Sequence, residues 1–278
     1  MADSSLKANL PERLAQRGEV EEDYHDRWAQ ELHVDELLVR EMFEAPTALD
    51  NEFILKRLGN LKGKRILDMA CGVGEAAVYF ALKGADVAAM DISQGMVSLA
   101  EQLAGKYGVK VVAKKMRAEA LEYEDDSFDI IYGYGALHHI DLEHASAEIY
   151  RVLKKGGIAV FSEPLAYNPM LWVYRLLAKE TRTETEKPFR FRDLRRYFKK
   201  FSRAEHREFW LIALLVYLDF FFIKRYHPSK VRYWRQILVE GEKYRRLIGV
   251  LKRIDSFLLR FVPPLRYLSS TSVIILKK

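Results

Sequence analysis

The chain has 278 residues, enough for one sizeable α/β domain with an elaboration or for two small domains. Its single cysteine, Cys71, excludes an intrachain disulfide and suits a reducing cytoplasmic setting, and the opening Met1–Ser5 lacks the basic and apolar stretches of a signal peptide. The net charge of +6 conceals a split: residues 187–278 carry 23 Lys+Arg against 7 Asp+Glu, while residues 1–186 carry 22 against 32.

Such a basic segment predicts an anionic membrane surface, an acidic substrate or nucleic acid as partner, or else a solvated helical surface, with nucleic acid least favoured because no recognition module is present. Residues 1–22 are polar and read as loose. From 21 to 43, Tyr24, Trp28, Leu32, Leu37, Leu38, Met42 and Phe43 recur at helical spacing, predicting one or two amphipathic helices that end before Pro46. A further helix is expected over 49–58. Short apolar runs then predict strands near 65–70, 86–91, 109–114, 128–133 and 157–162, with helices near 74–83, 94–106 and 143–153. That alternation argues for a parallel sheet covered by helices on both faces.

After Pro164 the rhythm changes. Residues 168–179 and 191–201 read as helices, 204–209 as a strand, 210–267 as helical and aromatic-rich with interruptions at His227-Pro228 and Pro263-Pro264, and 272–277 as a closing strand. If the two strands form a hairpin, the roughly 60 residues between them far exceed a hairpin loop and form an insertion. Within it, the 15 residues of Phe209–Ile223 are apolar except for Asp219, and are flanked by Arg207 and Lys224-Arg225. A bilayer span needs about 20 such residues, so the run reads as a buried helix, an apolar substrate wall or an interfacial membrane helix.

The chemistry concentrates in Ile66–Glu75, which reads Ile-Leu-Asp-Met-Ala-Cys-Gly-Val-Gly-Glu, and in Asp91 at the end of the next strand. Gly72 and Gly74 allow a tight turn and close approach of a ligand, and Asp91 is placed to accept hydrogen bonds from ribose hydroxyls. Gly72-Val-Gly74-Glu-Ala-Ala77 also fits a dinucleotide pattern. Asp68, however, would oppose a pyrophosphate and suit an ammonium, which favours S-adenosylmethionine. Downstream, residues 118–129, Ala136-Leu-His-His-Ile140 and Arg151-Val-Leu-Lys-Lys-Gly-Gly157 follow in order. With these motifs, Leu61–Pro164 resembles the class I S-adenosylmethionine-dependent methyltransferases.

The resemblance implies a doubly wound, Rossmann-like α/β fold with a mostly parallel seven-stranded sheet. It places an N-terminal helical lid over 1–60, the core over 61–209 and 270–278, and the insertion over 210–269. It implies cofactor contacts by Asp68, Ala70, Gly72, Gly74, Asp91, Ile92, Ala118, Glu119 and Tyr134, with Tyr24 as a lid residue. Arg117 stands where relatives often carry an aspartate near adenine, and Ala70 where glycine is frequent. Methyl transfer to oxygen or nitrogen often needs a base, and His139, then His138, are the candidates just past the fourth strand. Glu163, Tyr167 and Asn168, after the fifth strand, are expected to border the acceptor. His138, His139, Asp141 and His144 match no zinc spacing, so no metal is expected, and Cys71 reads as a packing residue. The expected acceptor is an apolar small molecule or lipid-like metabolite, methylated on oxygen before carbon, with the protein peripheral on the inner face of a membrane. The rival readings are a catalytically silent membrane scaffold and a nicotinamide-dependent oxidoreductase.

Overall fold

A computed structural model describes residues 12–278. The strands are β1 (Arg65–Met69), β2 (Asp86–Asp91), β3 (Val111–Lys115), β4 (Phe128–Tyr134), β5 (Leu153–Pro164), β6 (Arg203–Phe209) and β7 (Thr271–Lys277). They form one seven-stranded sheet in the order β3-β2-β1-β4-β5-β7-β6. The first five pair in parallel, and β7 runs antiparallel between β5 and β6. The expected hairpin therefore exists, with the insertion between its strands. Because the order reverses between β1 and β4, their carboxyl ends part and open a crevice, the usual ligand position in open α/β sheets.

The helices of the sheet region are α1 (Glu12–Gln30), α2 (Glu41–Glu44), α3 (Leu49–Leu58), α4 (Glu75–Leu82), α5 (Gln94–Lys106) and α6 (Leu142–Val152). After β5 come α7 (Pro169–Leu177) and α8 (Phe191–Tyr197), and within the insertion α9 (Tyr233–Val239) and α10 (Gly241–Phe261). The central strands are apolar on both faces because both are covered, whereas the edge strands β3 and β6 carry exposed and charged positions. Ile66 packs in a cluster with Phe80 and Tyr132, while Leu67 and Met69 pack with Phe128 and Ile131.

Two expectations are corrected. Of the segment 1–22 read as loose, residues 1–11 lie outside the described residues, and from Glu12 the chain is helical. Helix α1 is mostly polar, so its fixation rests on specific bonds rather than on an apolar face. Asp26 accepts from the Ser93 hydroxyl and, at 2.9 Å, from the Gly95 N–H, while Arg117 packs across Gly18, where a Cβ would meet its guanidinium. The second correction concerns the start of 210–267, which reads as helical with breaks at His227-Pro228 and Pro263-Pro264 but does not begin as regular α-helix. Phe209 ends β6, and 213–223 is a succession of 3-10, α and π turns. Trp210, Leu214, Phe220, Tyr233, Tyr244 and Ile248 form a third apolar cluster that this chain path serves. Asp219 sits inside the apolar run because the Tyr244 hydroxyl and Lys224 partner it. Asp255, on α10, accepts from the Ile212 N–H at 2.8 Å and so holds the start of the run.

Candidate active site

A cavity of about 700 Å³ opens over the carboxyl ends of β1 and β4. At its floor the β1–α4 turn leaves Gly72 with a φ of 51° and nothing within 4 Å of where a Cβ would sit, so the backbone is bare to a ligand. Gly74, with φ 77°, serves packing instead, since a Cβ there would lie 2.6 Å from that of Ala100. Ala70 has a φ of 53°, a left-handed conformation that costs a non-glycine residue roughly 1 kcal/mol.

Asp68 is 2% exposed, and its Oδ2 has no hydrogen-bond partner. Burial pushes its carboxyl up to about 8, a backbone hydrogen bond from Ala77 opposing the shift and Asp91 adding to it. An orphaned buried carboxylate beside a bare glycine turn fits a cationic amino group and disfavours a phosphate. Asp91 accepts one bond on each oxygen, from the Gly72 N–H at 2.9 Å and the Ser93 N–H at 3.0 Å. A carboxylate has lone pairs beyond those two, and Asp91 lines the cavity with Ile92, Ala118 and Glu119. The residues present therefore fit S-adenosylmethionine.

Arg117 lines the cavity beside Ala118 and is held by the lid helix. It donates to the Leu14 carbonyl at 2.8 Å and lies 3.6 Å from Glu119, tying α1 to the sheet. Glu119 also accepts from the Asp141 N–H at 2.9 Å.

The two candidate bases have different partners. His138 Nδ1 lies 2.8 Å from Glu163 Oε2, and Glu163 is fully buried. The other oxygen of Glu163 accepts from the Ala136 and Leu137 N–H groups at 2.8 and 2.7 Å, so one carboxylate shapes the loop after β4 and orients the imidazole. His139 Nδ1 instead lies 2.9 Å from Glu21 on α1, which also accepts from the hydroxyls of Thr183 and Thr185. Burial works against ionisation of Glu21, but the His139 and threonine bonds outweigh it and hold the carboxyl at about 2. Asp141 and His144 pair with each other at the start of α6, so the four polar residues near 138–144 do not converge on one point.

The outer half of the cavity is apolar. Leu214, Tyr217, Phe221 and Phe222 of the insertion face Met170 and Val173 of α7 as lining residues. The Tyr134 phenol lines it too and is pushed well above its usual range by burial and by Asp50, to which it hydrogen-bonds. Two expected acceptor contacts are corrected, because neither Tyr167 nor Asn168 lines the cavity. The Tyr167 ring stacks on Phe191, and Asn168 caps α7 by accepting from the Leu171 N–H while its amide donates to the Leu268 carbonyl.

Tyr24 does line the cavity, and its hydroxyl accepts from Arg232 at 3.1 Å. Arg232 also lies over the Trp28 ring, 3.9 Å from its centroid, and Arg235 reaches Glu75 at the start of α4. These contacts join the lid helix, the cofactor turn and the insertion. Glu21, Arg232 and Arg235 were not among the sequence-derived site residues, because each is separated from its partner by more than 100 residues.

Residues 67–161 match the methyltransferase domain family. The chain is 32% identical over 139 residues to a sterol 24-C-methyltransferase of Gibberella zeae, covering 49% of this chain and 37% of that protein. It is 33% identical over 137 residues to a ubiquinone biosynthesis O-methyltransferase of Alkalilimnicola ehrlichii, covering 49% and 54%. The chain thus spans about half or less of the length of these relatives. In fold it is similar to phosphoethanolamine N-methyltransferase 2 of Haemonchus contortus solved with S-adenosylmethionine (TM-score 0.56, 21% identity, 84% of this chain and 52% of that one). Residues 67–161 are thus a methyltransferase domain, and the orphaned Asp68, the bare Gly72 turn and Asp91 fit S-adenosylmethionine as its cofactor.

Proposed function

We propose that the protein transfers a methyl group to oxygen on an apolar small-molecule or lipid-like acceptor held in the outer half of the cavity. The observation that carries this reading is the continuity of the cavity, which joins Asp68 and Asp91 to the aromatic wall of the insertion with His138 and Glu163 on its lining. The sterol and ubiquinone names of two relatives support an apolar acceptor class.

S-adenosylmethionine, when bound, supplies an activated methyl group, so the chain's own work is alignment, exclusion of water and handling of one proton. Asp68 is the residue for its amino group and Asp91 for its ribose hydroxyls. Glu163 fixes His138 through Nδ1, which leaves Nε2 as the atom to take a proton from a hydroxyl acceptor. His139 is held through Nδ1 in the same way, but by Glu21 of the lid helix rather than by the fully buried Glu163 at the sheet, so this reading takes His138 as the base and His139 as the lid contact. Tyr24 and Trp28, with Arg232, cover the cavity from the α1 side.

An acceptor of this kind partitions into membranes, and the protein works peripherally on the cytoplasmic face of one. Among the described residues no helix is long and apolar enough to cross it. The test is incubation with methyl-labelled S-adenosylmethionine and a total lipid extract, followed by mass spectrometry of the labelled product. A labelled O-methyl lipid or quinone-like product supports the reading. Cofactor binding with no transfer to any fraction would leave a silent scaffold instead.

A further inference from the structure

Helix α10 has a face that packing does not explain. Tyr244, Ile248 and Asp255 point inward and are buried. Leu247, Val250, Ile254, Phe257 and Phe261 are exposed, Phe257 and Phe261 by 61% and 62%. At 100° per residue these five fall in one stripe, roughly 120° round the helix from the buried side. Arg246, Arg253 and Arg260, spaced by seven and exposed, form a row about 80° beyond the stripe's centre. An exposed aromatic stripe edged by a row of arginines matches the two-part chemistry of an anionic lipid interface.

The apolar surface continues toward the cavity. Past Phe261 the chain exposes Tyr267 and Leu268, and the Leu268 carbonyl accepts from Asn168 at the start of α7. One turn on, Trp172, Val173 and Leu176 are exposed by 48%, 58% and 60%. Val173 also lines the cavity, as does Phe222, which is 66% exposed.

From this continuity we infer that α10 and α7 together form a docking face for an anionic bilayer, with the acceptor mouth at its edge. The inference rests on the proposed apolar acceptor and names the surface through which it arrives. It also relocates the membrane contact expected at 209–223, half of which is spent on the third apolar cluster, to α10.

Flotation of the full chain tests the face, using vesicles of phosphatidylcholine alone and of phosphatidylcholine with phosphatidylserine at roughly two to one. The expected result is binding to the mixed vesicles that exceeds binding to the neutral ones by at least about tenfold and weakens with salt. F257E/F261E should abolish flotation. R246Q/R253Q/R260Q should lower affinity for the mixed vesicles on the order of a hundredfold and remove the preference for them. Titration with S-adenosylmethionine should show both variants folded, and the arginine variant, altered only at exposed positions, decides the matter if the other does not fold. Equal binding by wild type and the arginine variant would overturn the inference. So would a wild-type protein that ignores all vesicles but self-associates through Phe257 and Phe261, which would assign the face to a second copy. The lipid-extract assay, run in detergent, separates the two readings: methyl transfer without vesicle binding removes the docking face alone.

Discussion

Asp68 and Asp91 are both buried carboxylates at strand ends, yet their surroundings differ. Asp91 has two backbone donors, whereas one oxygen of Asp68 has none, and its carboxyl stands near 8. Cation binding takes the ionised form, so below about 8 the free protein must first release a proton. Affinity for S-adenosylmethionine should therefore rise roughly tenfold per pH unit from pH 6 toward 8 and then level, as linkage requires. In the ligand-free protein the sign is opposite for stability. Between 3.8 and about 8 the folded carboxyl keeps a proton that the unfolded chain has lost, so stability falls as pH rises through that window. Calorimetric titration across pH checks the first point, and D68N should bind more weakly with the slope gone. A flat wild-type profile would reject the assignment. At the same scale, H138A should lower turnover by about 10²–10⁴-fold with cofactor affinity unchanged. E163Q should lower turnover too, since it removes the charge that orients the ring. If H139A proved the more damaging to turnover at saturating cofactor, the base would be His139 after all.

At the scale of elements, what could be read from the sequence was what is local. The strand–glycine–helix turn and the helices over 49–58 and 94–106 each declare themselves within a few residues, through spacing and caps such as Ser93. Helix α1 did so only from residue 21; residues 12–20 did not, because their apolar content is low, and the helix's anchors lie far off at Thr183, Thr185 and His139. Tyr167 and Asn168 were misplaced for a related reason: chain position after β5 suggested the cavity, but the cap of α7 and the Leu268 carbonyl set their direction. The anchor role of Glu21 makes a prediction for the whole lid. E21Q keeps size but loses the charge, and should cost about 1–3 kcal/mol of local stability. Hydrogen exchange should then quicken across Glu12–Gln30 while the central strands stay protected. Since the Glu21 carboxyl is held at about 2, its contribution is present above about 4.5 and is lost as pH falls from there toward 2. Unchanged exchange in α1 would show that Asp26 and Arg117 suffice to hold it.

Across the whole molecule, the charge split acquires a structural address. The acidic residues 1–186 supply the lid and the five parallel strands, the basic residues 187–278 supply β6, β7 and the insertion, and the two meet over the cavity. Trp28, Tyr24 and Glu75 come from the first 186 residues, and Arg232 and Arg235 from the last 92. If this meeting is a latch that closes the acceptor chamber, breaking it should affect acceptor handling more than cofactor binding. A double-mutant cycle with W28L and R232M isolates the stacked pair, for which about 0.5–2 kcal/mol of coupling is expected. Each single variant should raise KM for the acceptor several-fold and leave S-adenosylmethionine affinity within about twofold, because Asp68 and Asp91 are untouched. Coupling near zero, or an equal loss in cofactor affinity, would mean that Arg232 only packs on Trp28 and that the chamber is closed by the apolar cluster around Trp210 and Phe220 instead.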